Sequence, residues 1–148
     1  MKPILIILFF LIFFIACEGT KSNKANNGSP QTISLSGMWQ LVDLPVTKIP
    51  FDSLYPSAKP FINFDLANNR FSGNSSCNHY GGDLIVRGNK IDFTGPYHIT
   101  EMYCGGEGEP VFINTLISIN NFSMRDTSLF FKKEDSVKMI FKRKLGQL

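Results

Sequence analysis

A chain of 148 residues with 43% apolar residues and a formal charge of +3 suits one domain large enough to bury its own core. That charge is too small for a dedicated nucleic-acid binder, and neither a basic stripe nor an RNP-like motif is expected. Beyond the N-terminal segment no run approaches the ~20 apolar residues of a membrane span.

Met1–Cys17 opens with Lys2, followed by an unbroken apolar run from Ile4 to Ala16. This length suits an export signal and is short for crossing a bilayer. Phe14-Ile15-Ala16-Cys17 resembles a bacterial lipobox, with Phe14 where leucine is usual. The resemblance implies cleavage before Cys17, a diacylglycerol thioether on its sulfur, and acylation of the new amino group. Two or three acyl chains anchor stably, because each buried methylene contributes about 0.8 kcal/mol. The alternative is an ordinary cleavable signal, with Cys17 and Gly19 as small cleavage-site residues and a soluble product. Glu18–Thr32 has no large apolar residue and is rich in Asn, Ser, Gly and Lys. It is expected to be a flexible tether with a span of about 20 Å. The chain thus divides into a signal at 1–16, a lipidated cysteine with its tether at 17–32, and one folded domain at 33–148.

From Ile33 short runs are separated by turn signals. Trp39–Leu44 alternates until Pro45 stops it, and Phe61–Phe64 is a second strand that Asn68-Asn69 turns into Arg70–Ser72. Leu84–Val86 and Lys90–Phe93 flank Arg87-Gly88-Asn89 as a hairpin, and His98–Met102 is a further strand. Between Arg70–Ser72 and Leu84–Val86, Asn74–Asp83 reads as a polar loop. Phe112, Leu116 and Ile119 follow helical spacing, with Pro110 suited to a first turn and Glu107 and Glu109 placed where the helix dipole favours acids. The tail reads as a meander: Phe122–Met124, Leu129–Lys132 and Val137–Lys142, joined at Asp126-Thr127 and Glu134-Asp135-Ser136. The expected class is α+β and predominantly antiparallel β, a curled sheet or partial barrel with one packed helix at about 109–120.

With Cys17 assigned to lipid, Cys77 and Cys104 remain in an oxidising compartment, and one disulfide is the simplest reading. Zinc is the alternative, since Cys77-x-His79 and His98-x5-Cys104 offer four N/S ligands. The one-residue gap of Cys77-x-His79 converges on a metal less readily than wider gaps, so no metal is assigned. His79 is then an exposed loop residue and His98 an ordinary strand residue. H-E-x-x-H, G-x-S-x-G, P-loop and dinucleotide fingerprints are all absent from the sequence. Neither catalysis nor a cofactor is expected.

Together these landmarks resemble the META domain family of HslJ-like proteins. The match runs through Leu35-x-Gly37-x-Trp39 and Pro60-x-Ile62-x-Phe64 to its strongest stretch, Phe71–Gly82 (FSGNSSCNHYGG), similar to the family's G-x-x-G-C-N-x-Y-x-G signature. Ser76 stands where that signature commonly has glycine. Ile91-x-Phe93, Ile99-Thr100-x-Met102-x-Cys104, Glu109-x-x-Phe112-x-x-x-Leu116, Leu129 and Ile140-x-x-Arg143 complete it. The resemblance covers about Ile33–Arg143. It implies a single mixed β/α domain, often carried on a lipoprotein in the bacterial envelope, without established catalysis and associated in some members with heat stress.

In the signature, Gly73, Gly81 and Gly82 are expected to supply turn conformations, Asn78 an Asx-turn in its own loop, and Tyr80 a core contact with its hydroxyl outward. Trp39 is expected as a core anchor. Asn74, Asn78, His79, Tyr80 and Asp83 form the candidate binding loop, pinned at Cys77. The preferred function is a lipid-anchored envelope module at the outer membrane, facing the periplasm, that binds a protein or cell-wall partner in stress or assembly. A carrier of a small apolar ligand within the curled sheet, suggested by the ten phenylalanines of the mature chain, is the alternative. A zinc-dependent activity at Cys77, His79, His98 and Cys104 is the third.

Overall fold

The computed structural model describes residues 34–144. The expected export signal, Cys17 and tether lie outside the described residues. Ten strands form one sheet: β1 (Gly37–Asp43), β2 (Phe61–Asp65), β3 (Arg70–Asn74), β4 (His79–Asp83), β5 (Ile85–Arg87), β6 (Lys90–Asp92), β7 (Tyr97–Ile99), β8 (Asn121–Arg125), β9 (Ser128–Lys133) and β10 (Ser136–Arg143). Two helices, α1 (Phe51–Leu54) and α2 (Gly108–Ser118), accompany them. The strand order is β5-β6-β8-β9-β10-β1-β2-β3-β4-β7, each neighbour antiparallel, and the sheet curls into a half-barrel.

The tight turns fall where the sequence places them, and their tips carry the left-handed residues that such turns need. Asn69 (φ 51°), Gly88 (φ 62°), Asp126 (φ 52°) and Glu134 (φ 55°) are these tips. The tail meander continues across β10 into β1, with Leu41 opposite Phe141 and Trp39 opposite Arg143. Irregular register at Leu41–Asp43 marks a bulge in β1. A bulge adds a residue and shifts the alternation, and Leu44 is accordingly buried with Trp39 and Leu41 rather than opposite them.

Inside the curl Phe64, Phe93, Phe131 and Phe141 are fully buried, and Phe131 meets Phe141 at a ring-centroid distance of 5.1 Å. Phe71 meets Phe93 at 5.1 Å, and Tyr80 meets Phe112 of α2 at 5.5 Å. Seven of the ten phenylalanines that suggested an apolar carrier are buried in this core, and Phe51, Phe61 and Phe130 are half-buried. Phe112 and Leu116 deliver the apolar face of α2 to the same core.

Three local differences from the sequence reading have physical causes. A four-residue helix carries too little periodicity to be read, and α1 was not expected. It wedges under the start of α2, where the Tyr55 hydroxyl donates to the Gly108 carbonyl at 2.9 Å. Second, β7 ends at Ile99 and not at Met102, because Met102 N–H donates to the Asn78 side chain instead of a strand neighbour. Third, Asn74–Asp83 is mostly not loop: Asn74 ends β3, His79–Asp83 is β4, and only residues 75–78 form the turn.

Candidate functional site

That turn is tied to the chain on two sides. Asn78, only 4% exposed, uses both amide hydrogens and its oxygen at a distance in sequence. Its Nδ2 donates to the Met102 carbonyl at 3.0 Å and to Glu109 Oε2 at 2.9 Å. Its Oδ1 accepts from Thr100 Oγ1 at 2.7 Å and from Met102 N–H at 2.8 Å. The other Glu109 oxygen accepts from Ser75 Oγ at 2.7 Å, and Ser75 Oγ in turn accepts the Asn78 N–H at 3.1 Å. Asn78 is therefore a cross-link between the hairpin, the 100–102 segment and the first turn of α2, and not an Asx-turn. The Asx-turn belongs to Asn74, whose Oδ1 accepts Ser76 N–H at 2.8 Å. Beside this network Cys77 and Cys104 stand at disulfide distance, with Cα atoms 5.9 Å apart.

The glycines act by close approach, not by turning. A Cβ at Gly73 would lie 2.2 Å from the Phe61 carbonyl oxygen and 2.6 Å from the Tyr80 hydroxyl. Tyr80 lies across that glycine and donates to the Phe61 carbonyl at 3.0 Å, so its hydroxyl points inward. Burial pushes the Tyr80 phenol well above its ordinary range. Gly81 and Gly82 likewise admit the β3 and β7 backbones and the side chains of His98 and Tyr97. The residue that does need a left-handed backbone is Ser76, at φ 91°, in the position where the family signature commonly has glycine.

The remaining candidates point to solvent. His79 and His98 are exposed, on β4 and β7. Asp83 is exposed and pairs with Arg70 at 3.0 Å, a contact of small energetic weight at such a surface. Among the described residues no three His, Cys, Asp or Glu side chains gather as a metal-ligand group, so the zinc set of Cys77, His79, His98 and Cys104 is not assembled. Among the same residues every buried side-chain nitrogen or oxygen has a hydrogen-bond partner.

What the network leaves at the surface is a cleft of about 470 Å³ lined by Tyr55, Ser76, Cys77, Cys104, Glu107 and Glu109, among others. Next to Cys104 in sequence, Tyr103 is 98% exposed and Met102 56%. The sequence reading named Met102 only as a strand and motif residue and did not single out Tyr103. The signal available was two large side chains between a disulfide cysteine and the strand preceding it.

A family model described as META domain matches residues 31–145. Among solved structures, a protein from Burkholderia xenovorans determined by NMR is 21% identical at a TM-score of 0.57, with 74% of this chain and 82% of that chain covered. A second NMR structure is 16% identical at a TM-score of 0.56, covering 72% of this chain and 88% of that one. The crystal structure of a DUF4847 family protein from Bacteroides vulgatus is 13% identical at a TM-score of 0.53, covering 74% and 93%. These likenesses show the shared fold alone. No curated protein matches the chain.

Proposed function

From the premise that the chain belongs to the META domain family, we propose that it is a lipid-anchored, non-catalytic module of the bacterial cell envelope. It faces the periplasm from the outer membrane and recognises a partner in assembly or stress. The observation that carries this reading is the Cys77–Cys104 pair at disulfide distance, downstream of a lipobox-like cysteine. A disulfide persists in an oxidising compartment, where such a signal would deliver the chain. The polar side chains of the signature support the non-catalytic part: Ser75 donates to Glu109, but its hydroxyl is fully buried and held in the Asn78 network, where no substrate reaches it. The half-barrel interior is packed with aromatic rings, which weakens the carrier alternative. Recognition then falls to the exposed rim that carries Met102 and Tyr103.

The test is the intact mass of the protein from its native membranes, before and after reduction with thiol alkylation. The expected result is a chain starting at Cys17 with acyl mass on it, and alkylation of Cys77 and Cys104 only after reduction. A soluble, unacylated product, or two freely alkylated thiols, would undo the reading.

A further inference from the structure

The three C-terminal strands carry a charge imbalance that strand pairing turns into a surface. Residues 121–148 contain seven Lys or Arg against three Asp or Glu, while the rest of the chain is close to neutral. In the sheet Arg125 lies opposite Ser128, Ser128 opposite Lys142, and Lys142 opposite Gln40. The next rows pair Ser123 with Phe130 and Phe130 with Ile140, then Asn121 with Lys132 and Lys132 with Val137. Leu129, Phe131, Met139 and Phe141 alternate with these residues and are buried, so the rows form the outer face.

Arg125 and Lys142 are exposed and Lys132 half-buried, and among the described residues none of the three makes an ion pair. Lys142 Nζ donates only to the neutral Ser128 hydroxyl, at 2.7 Å. The acids of this region, Asp126, Glu134 and Asp135, sit at the hairpin tips, and Asp43 borders the face opposite Ile140. A groove of about 250 Å³ lined by Arg125, Phe130, Lys132 and Val137 crosses it. A basic stripe was not expected from the sequence, because its members are spread over three strands and every other position.

The chain enters the domain at the end of β10, one residue from Lys142 but on the core side of the sheet, where Arg143 lies opposite buried Trp39. Arg143 at the end of β10 donates to the carbonyls of Ser34 and Ser36, and its guanidinium stacks on Trp39 at 4.3 Å. We propose that the outer face of β8–β10 lies on anionic phospholipid headgroups, an inference that rests on the lipid-anchored reading. On that reading the anchor at Cys17 keeps the domain at the bilayer, where even weak contacts are occupied. Each cation at an anionic surface strengthens the contact about fivefold, with a reach of about one Debye length. Phe130 and Ile140, half-buried between the cations, supply apolar area for the headgroup boundary. The rim with Met102 and Tyr103 adjoins β7, at the far end of the strand order, and stays free for a partner.

The experiment uses protein purified from its membranes and reconstituted into phosphatidylcholine vesicles, with or without phosphatidylglycerol as about one third of the lipid. Acetylation rates of Lys132 and Lys142 are read by mass spectrometry against exposed Lys48. The expected result is a slowing of about threefold or more at Lys132 and Lys142 on the anionic vesicles, reversed by high salt, with Lys48 unchanged. The Arg125→Gln/Lys132→Gln/Lys142→Gln variant should keep its melting temperature and, prepared without its lipid, no longer sediment with anionic vesicles at low salt. Equal rates on both vesicle types would overturn the proposal, as would slowing by a soluble acidic polysaccharide and not by vesicles. If the mass at Cys17 shows no lipid, the anchoring reading fails on its own. The unlipidated chain should then still sediment with anionic vesicles at low salt, and its failure to do so would overturn the proposal separately.

Discussion

Asn78 makes four side-chain hydrogen bonds from one almost fully buried amide to groups more than twenty positions away. Asn78→Ala would leave the Met102 N–H and the Glu109 carboxylate without those partners. A loss of about 2 kcal/mol in urea unfolding is expected, since several part-buried groups, one of them charged, lose their partner at once. Ser76 has the opposite sign. Its φ of 91° crowds a Cβ against the backbone, and Ser76→Gly should stabilise by about 0.5–1 kcal/mol, with the melting temperature rising a few degrees. An unchanged or lower melting temperature would show that the serine side chain contributes more than its backbone loses. The sequence showed that Asn78 and Ser76 belong to a signature. It did not show that the asparagine is a cross-link, because the identity of its partners depends on how the 100–102 segment folds back.

At the level of elements, the hairpin turn and the approach to α2 are held twice, by the Asn78–Glu109 contacts and by Cys77–Cys104. The two clamps act on different states. Hydrogen bonds stabilise the native arrangement, whereas a cross-link over a separation of 27 residues restricts the unfolded chain, by about 3.5 kcal/mol in the chain-entropy model. Cys104→Ser should therefore lower stability by an amount of that order while leaving the native far-ultraviolet circular dichroism spectrum intact. Complete loss of folded signal in that variant would show that the Asn78 network cannot hold the turn alone. Helix α2 was legible from Phe112, Leu116 and Ile119, and the tail meander from alternation and its turn residues. The glycines misled, because a glycine in a polar run reads as a turn. Gly73 is instead a strand residue opposite Tyr80, visible only once β3 and β4 are paired.

On the scale of the whole molecule, the half-barrel encloses a core of aromatic rings into which two phenols are also drawn. Burial pushes the Tyr55 phenol up to about 12 and Tyr80 well above its usual range. In the unfolded chain both ionise near 10, so above that pH the unfolded state releases protons that the folded state keeps. Stability should be level with respect to these two groups from pH 7 to about 9 and fall between about 10 and 12. Urea midpoints across that range check this, and Tyr55→Phe should remove part of the fall. A midpoint that does not move above pH 10 would mean that both phenols ionise in the folded protein without cost.

The sequence by itself determined the α+β class, the family, the principal helix and the meander, because periodicity, turn residues and spaced motifs are local properties that survive without coordinates. It also placed Trp39 in the core and singled out Cys77 with Cys104. Only the tertiary structure decided what the signature is for. Cross-strand register set Tyr80 over Gly73, turned Asn78 and Glu109 into a clamp, and aligned Arg125, Lys132 and Lys142 on one outer face. Those relations join residues distant in sequence, and the alternation of a strand hides them until its neighbours are in place.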